Sequence, residues 1–409
     1  MEKEVSVAHI QHDFVDCIRD KYQGNEGTEN DAFFINVDQS LDKVEEYRVK
    51  VLKEKDVFSI ENGNTFEKLN SAVYQANLDN KKYKFQTIRH DHTIEKTSVN
   101  WTSVDVFQGQ KTLYCLGDSN GNIAVYNAKY ETVREIEDAH ASDITSLKFF
   151  PSGEVLLSAS TDMQLKLWSI MDGSSPRTFV GHKSKVTGTA MIERGRNFLS
   201  SSHDGTIRLW ECGSGLNLHS FKRKENPNDG VNTIQLMSHV NNVHESESAN
   251  DLEFGTTGKQ ILGGHVSGVI TLHDVFSKRQ VLQIPSAFMS SCSSLTINSS
   301  DNNYVYGGYE NGALALWDLR NPLKPVDVAY INKGIPVNYT YYFNGSLYVS
   351  SGVDTSMKFE TDPSTKFINT NSPTFLVSED HEIAQYTGIS SSNGVVAVGN
   401  WGFCAEYSN

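Results

Sequence analysis

Ser158, Asp162 and His140 are the side-chain types from which a hydrolase assembles a nucleophile, an orienting carboxylate and a general base. They lie in LLSASTDMQLKLWSI and, just upstream, EDAHASDITSLKFF. The set recurs as His182, Ser200 and Asp204 in GHKSKVTGTAMIERGRNFLSSSHDGTIRLWE. Each copy ends on a tryptophan, and the two, Trp168 and Trp210, are 42 residues apart. A catalytic centre gains nothing from duplication at a fixed period, whereas a structural repeat requires it.

Within a repeat the same residues have another use. A histidine ahead of strand one, a serine on strand two, an aspartate in the following turn and a tryptophan on strand three form a buried hydrogen-bonded chain. Buried polar groups of this kind fix one geometry when they are all paired. His140, Ser158, Asp162 and Trp168 make one set, and His182, Ser200, Asp204 and Trp210 the other. No GxSxG elbow, GxxxxGK[ST] loop, HExxH pair or dinucleotide GxGxxG is present, so no enzyme activity, metal or cofactor is expected.

Self-similarity near 40 to 45 residues marks the four-stranded blades of a propeller. With Trp168 and Trp210 as anchors, the tryptophan site falls on Tyr126 in LYCLGDSNGNIAVYN, His273 in ILGGHVSGVITLHDV and Trp317 in YVYGGYENGALALWDLR. It then falls on Glu360 in LYVSSGVDTSMKFE and Tyr407 in VVAVGNWGFCAEYSN. These seven rungs predict an all-β, seven-bladed WD40 β-propeller over residues 96–409. Blade six keeps Ser350 and Asp354 but places Glu360 where the aromatic belongs. Ser267 and Asn311 replace the aspartate in blades four and five, which must then be held by strand pairing and neighbours. The third interval is about twenty residues longer than its neighbours, and the polar run SHVNNVHESESAN has no apolar period, so a mobile loop is expected there.

The chain ends two residues after Tyr407, which leaves the last blade one strand short. An open antiparallel edge invites aggregation, so a strand should be borrowed from ahead of blade one. The alternating stretch KYKFQTIRH (82–90) is the candidate, within a linker over 81–95. Residues 1–80 carry short alternating segments broken by Gly/Asn/Asp turns and read as a small, mainly β N-terminal domain.

The composition is that of a folded protein: 409 residues, 38% hydrophobic, 21% charged and net charge −14. No run approaches the roughly eighteen apolar residues of a membrane span and the start lacks the pattern of a secretion signal, so a cytoplasmic or nuclear protein is expected. Cys17, Cys115, Cys212, Cys292 and Cys404 are scattered and odd in number, as reduced buried thiols would be. The acidic balance repels phosphate backbones, so nucleic acid is not expected, and a basic protein surface is the better partner.

A rigid propeller carries its docking loops on one face, formed by the lead-ins to strand one and the turns between strands two and three. The lead-ins contribute Trp101, Asp143, Lys185 and Asp229, and the turns Thr161, His203 and Glu310. An exposed Trp101 among acidic groups would form a hot spot with a polar surround, unless it lies in the core of the domain junction.

Taken in order, LKFFPSGE, MQLKLWS, DGTIRLWECG, RKENPNDGVN, LEFGTTGK, GHVSGVITLHDVFSK and YENGALALWDLR resemble the fungal WD40 chaperone of proteasome assembly, related to the animal proteasomal ATPase-associated factor. VAHIQHDF, FFINVD and GNTFEK extend the resemblance over nearly the whole chain. The resemblance implies a non-enzymatic chaperone, and a monomer is expected. It would bind the C-terminal domain of an ATPase subunit of the regulatory-particle base, alongside other base assembly chaperones, and leave the finished particle. Two other classes compete. WDLR, ending in Arg320, matches the WDxR box of cullin-RING ubiquitin ligase substrate receptors, or is an ordinary strand end. A phosphopeptide or nucleic-acid reader would need a basic pocket, toward which Lys185 alone contributes.

Overall fold

A computed structural model describes residues 3–23, 32–40, 43–52, 54, 56–92, 99–238 and 250–408. Seven antiparallel sheets follow one another at 101–136, 144–179, 186–222, 231–284, 292–330, 337–376 and 383–408 and form the blades of a closed propeller. Blade two shows why the sequence folds this way. Its strands Ile144–Phe149, Val155–Ser160, Leu165–Ser169 and Arg177–Phe179 pair in order through tight turns. Alternation puts Leu157, Leu165 and Leu167 against Val186 and Phe198 of blade three. Most of the polar run 238–250 lies outside the described residues.

Blades crowd near the axis, where side chains on strand two must be small. A Cβ on Gly117 would stand 2.5 Å from Ile144 of the next blade, and one on Gly308 2.5 Å from Val337. Polar staples cross the same seams: Leu147 N donates to Ser103 Oγ at 3.0 Å and Thr340 N to Ser294 Oγ at 2.8 Å. Between blades one and seven, Val104 N donates to Gln385 Oε1 at 3.0 Å, which closes the ring.

The tryptophan site of blade six needs correcting. Leu347 pairs with Phe359 and Ser351 with Thr355, the same spacings as Leu156 to Trp168 and Ser160 to Gln164 in blade two, so the hairpin keeps its length and its frame starts one residue earlier than the Ser350/Asp354 reading placed it. Phe359, fully buried, occupies the aromatic site, and Glu360 is exposed one position beyond it. Blade six therefore keeps its aromatic.

The segment ahead of the propeller builds onto it at three outer edges. Lys3–Glu4 pairs in parallel with Asp327–Tyr330 of blade five. The closing strand of blade seven is His90–Asp91, antiparallel to Glu406 and Ala405. The predicted 82–90 stretch thus contributes only its last two residues there, Arg89 through its backbone amide and His90 as a paired residue, because Lys81–Gln86 pairs in parallel with Thr374–Leu376 of blade six. That pairing extends blade six through Val73–Leu78 and Thr65–Lys68 into a seven-stranded sheet. A separate sheet of Val7–Ile10, Ala32–Ser40, Lys43–Val51 and Phe58–Ser59 carries one helix, Phe14–Gln23, on its inner face. Phe14, Phe33, Phe66 and Phe85 share one continuous core with Tyr306, Leu316, Phe359 and Phe375 of blades five and six.

Candidate protein-docking face

The repeated chemistry lies inside the blades. Trp168 Nε1 donates to Ser158 Oγ at 2.8 Å, and the serine hydroxyl donates on to His140 Nε2 at 2.7 Å. His140 Nδ1 in turn donates to Asp162 Oδ2 at 2.9 Å. Blade three repeats the order from Trp210 through Ser200 and His182 to Asp204, at 2.8, 2.7 and 3.0 Å. Serine, histidine and aspartate are connected as in a hydrolytic triad, but Ser158 and Ser200 have no exposed surface and a tryptophan occupies the side a substrate would approach. Burial alone would raise the Asp162 carboxyl. The hydrogen bonds from His140 and from the amides of Gln164 and Ala141 outweigh it and hold the group at about 2.

Blade four, expected to have lost this chain, carries a rewired one. Asp229 takes the place of the turn aspartate, its carboxylate accepting from Ser267 N and Oγ at 3.1 and 2.6 Å and from Arg223 at 2.7 Å. His265 Nδ1 donates to Asp229 O at 3.0 Å, and its Nε2 accepts from Thr271 Oγ1 at 3.0 Å. Thr271 accepts in turn from His273 Nε2 at 3.2 Å, so a histidine at the tryptophan site donates as the indole does elsewhere. In blade five Trp317 Nε1 donates to Tyr309 Oη at 3.1 Å instead.

The upper face collects four of the seven proposed contact residues. Asp143, Thr161, Lys185 and His203 line one shallow hollow of about 370 Å3 over blades two and three. Asp143 and Lys185 are exposed, Thr161 and His203 half-buried. Burial, with Lys185 nearby, lowers the His203 pKa, and its Nε2 meets Asn232 Oδ1 at 2.6 Å. Glu310 is exposed on blade five.

Two residues are not surface groups. Trp101 is 5% exposed and packs with Val104, Tyr114, Val398 and Cys404 in the seam between blades one and seven. Asp229 is 6% exposed and committed to blade four. The exposed tryptophan of this face is Trp401, 57% exposed in the turn between strands two and three of blade seven, at φ 50. Beside it the lead-in SEDHE presents Glu379, Asp380 and Glu382, all exposed, so blade seven adds three acids to those at Asp143 and Glu310. Both positions follow from extending the loop projection to the last blade.

Arg320 of WDLR is held by its own strand end. Its guanidinium makes two bonds to the Asp318 carboxylate, at 2.8 and 2.7 Å, and one to Tyr304 Oη at 2.9 Å. Asp318 is lowered by this bonding. That is the geometry of a strand end with a tethered arginine.

The blades and their upper loops define a WD40-repeat propeller, and the WD domain, G-beta repeat family matches at residues 131–169 and 173–211. The chain belongs to the family of the 26S proteasome regulatory subunit RPN14 of Saccharomyces cerevisiae, with which it is 49% identical over all of this chain and 99% of the yeast protein. A shorter similarity, 33% over 22% of each chain, links it to the p21-activated protein kinase-interacting protein 1-like of Danio rerio. Among solved structures, that of U3-55K covers 78% of this chain and 98% of its own at TM-score 0.63 and 13% identity, a likeness of fold.

Proposed function

We propose that this protein is a non-enzymatic chaperone for assembly of the proteasome regulatory-particle base. Its upper face holds the C-terminal domain of an ATPase subunit and shields it from premature docking. The observation that carries this reading is the full-length identity to a relative named as a proteasome regulatory subunit. Exposed acids at Asp143, Glu310 and Glu382 and the exposed indole of Trp401 suit a partner domain of basic surface. The tethering of Arg320 favours this reading over the ligase receptor.

The test is affinity purification of the tagged protein from its own cells at physiological salt, with mass spectrometry of what is retained. Proteasomal ATPase subunits without core-particle subunits are the expected result; a cullin adaptor, or no ATPase, overturns it. Asp143→Lys, Glu310→Lys and Glu382→Lys combined should then weaken ATPase capture by about tenfold or more. Unchanged capture would place the interface elsewhere.

A further inference from the structure

Strand periodicity gives the N-terminal sheet two faces. Phe33, Ile35, Val37, Val49 and Val51 point into the shared core. The intervening residues Phe34, Asn36, Asp38, Val44 and Glu46 point the other way, where they form one wall of an open cleft of about 950 Å3. The facing wall is the upper rim of blades five to seven, including Ile335, Asp354 and Asp380. Imidazoles span the gap between the walls: His9 lies 3.5 Å from Asp38 and 3.6 Å from Asp354, and His12 lies 3.4 Å from Asp380.

The chemistry of these walls is one-sided. Glu4, Asp38, Glu46, Asp354 and Asp380 supply carboxylates, and among the described lining residues Lys333 is the sole lysine or arginine. Asn36 Oδ1 is buried in the wall without a hydrogen-bond donor. Between these acceptors, Val44 is 60% and Phe34 36% exposed, so apolar surface is left open beside them. An occupant must bring positive charge, hydrogen-bond donors and apolar side chains together. We propose that the cleft binds an extended segment of a partner protein in which lysine or arginine alternates with apolar residues. An extended segment turns alternate side chains to opposite sides, so one set meets the sheet face and the other the blade rim, and each wall offers both carboxylates and apolar groups; the cleft volume falls at the upper end of the range for ligand sites. A nucleic-acid backbone is repelled by the same carboxylates. The proposal does not depend on which protein occupies the propeller's upper ring.

The test uses the full-length protein and a fluorescein-labelled peptide of four Lys-Leu repeats, followed by anisotropy at physiological salt. Saturable binding is expected, with none for a peptide of four Glu-Leu repeats. V44K/E46K, both on the exposed sheet face, should weaken binding by about tenfold or more. E131K/E154K, an equal or larger charge change on exposed loops at the opposite end of the propeller, should leave it within about twofold. E46Q, which keeps the side-chain shape, should weaken binding by about threefold and serves if the double variant misfolds. Absence of saturable binding, or equal losses in V44K/E46K and E131K/E154K, would overturn the proposal.

Discussion

Ser158 and Ser200, neither with any exposed surface, each use one hydroxyl twice, accepting from a tryptophan and donating to a histidine. Ser158→Ala should strand the Trp168 indole N–H and the His140 ring nitrogen together. We expect a loss of about 2–4 kcal/mol in urea unfolding, with partner capture unchanged, since neither group reaches the surface. His273 gives a pH prediction. Burial, with His265, His219 and Lys224 nearby, lowers its pKa from 6.5 to about 4. The unfolded chain therefore binds this proton first, so the contribution is full above about pH 6.5 and is lost as pH falls toward 4. His182, His203 and His265 are lowered in the same direction. Unfolding midpoints should fall from pH 7 to pH 5, and His273→Phe should flatten that slope, by up to about 2 kcal/mol at pH 5. An unchanged slope would contradict the assignment.

At the scale of elements, two residues do the closing. His90–Asp91 lies against the last strand, with Arg89 N donating to Glu406 O at 2.8 Å and His92 N to Cys404 O at 2.9 Å. His92→Pro removes the second donor, leaving a buried strand edge underpaired. Amides of Cys404–Ser408 should exchange at least about tenfold faster, while those of Leu165–Ser169 in blade two stay protected. Equal protection in both would show that blade seven does not depend on this strand. The 82–90 stretch was legible as a strand from its alternation, but which sheet edge it joins was not. Its alternation suits either neighbour, and the choice rests on Phe85 packing against Phe375 at 5.8 Å. The helix Phe14–Gln23 had a readable signal, Phe14, Cys17 and Ile18 at helical spacing, all buried. Its short length and strand-rich surroundings hid it.

Across the whole molecule, one continuous core ties buried residues between Val5 and Phe85 to blades five and six. All five tryptophans, the earliest Trp101, lie in the propeller. Phe85→Ala, at a site with no exposed surface, should cost about 3–5 kcal/mol. It should also move the tryptophan-fluorescence transition together with far-UV circular dichroism. If fluorescence stayed at the wild-type midpoint while circular dichroism shifted, the two parts would unfold independently.

Repeat spacing by itself determined the propeller and its blade number, because every blade must place a turn and an inward side chain at nearly the same interval. It also named the two hydrogen-bonded tetrads, since both copies keep all four residue types. Tertiary structure decided what spacing leaves degenerate. A one-residue shift in the strand frame, with the turn unchanged in length, made Phe359, and not Glu360, the aromatic of blade six. Asp229 became a buried pin because Arg223 and Ser267 converge on it. Trp101 sank into a seam that exists only once the ring closes, leaving Trp401 on the surface. Each outcome depends on partners distant in sequence, and burial is set by those partners and not by residue type.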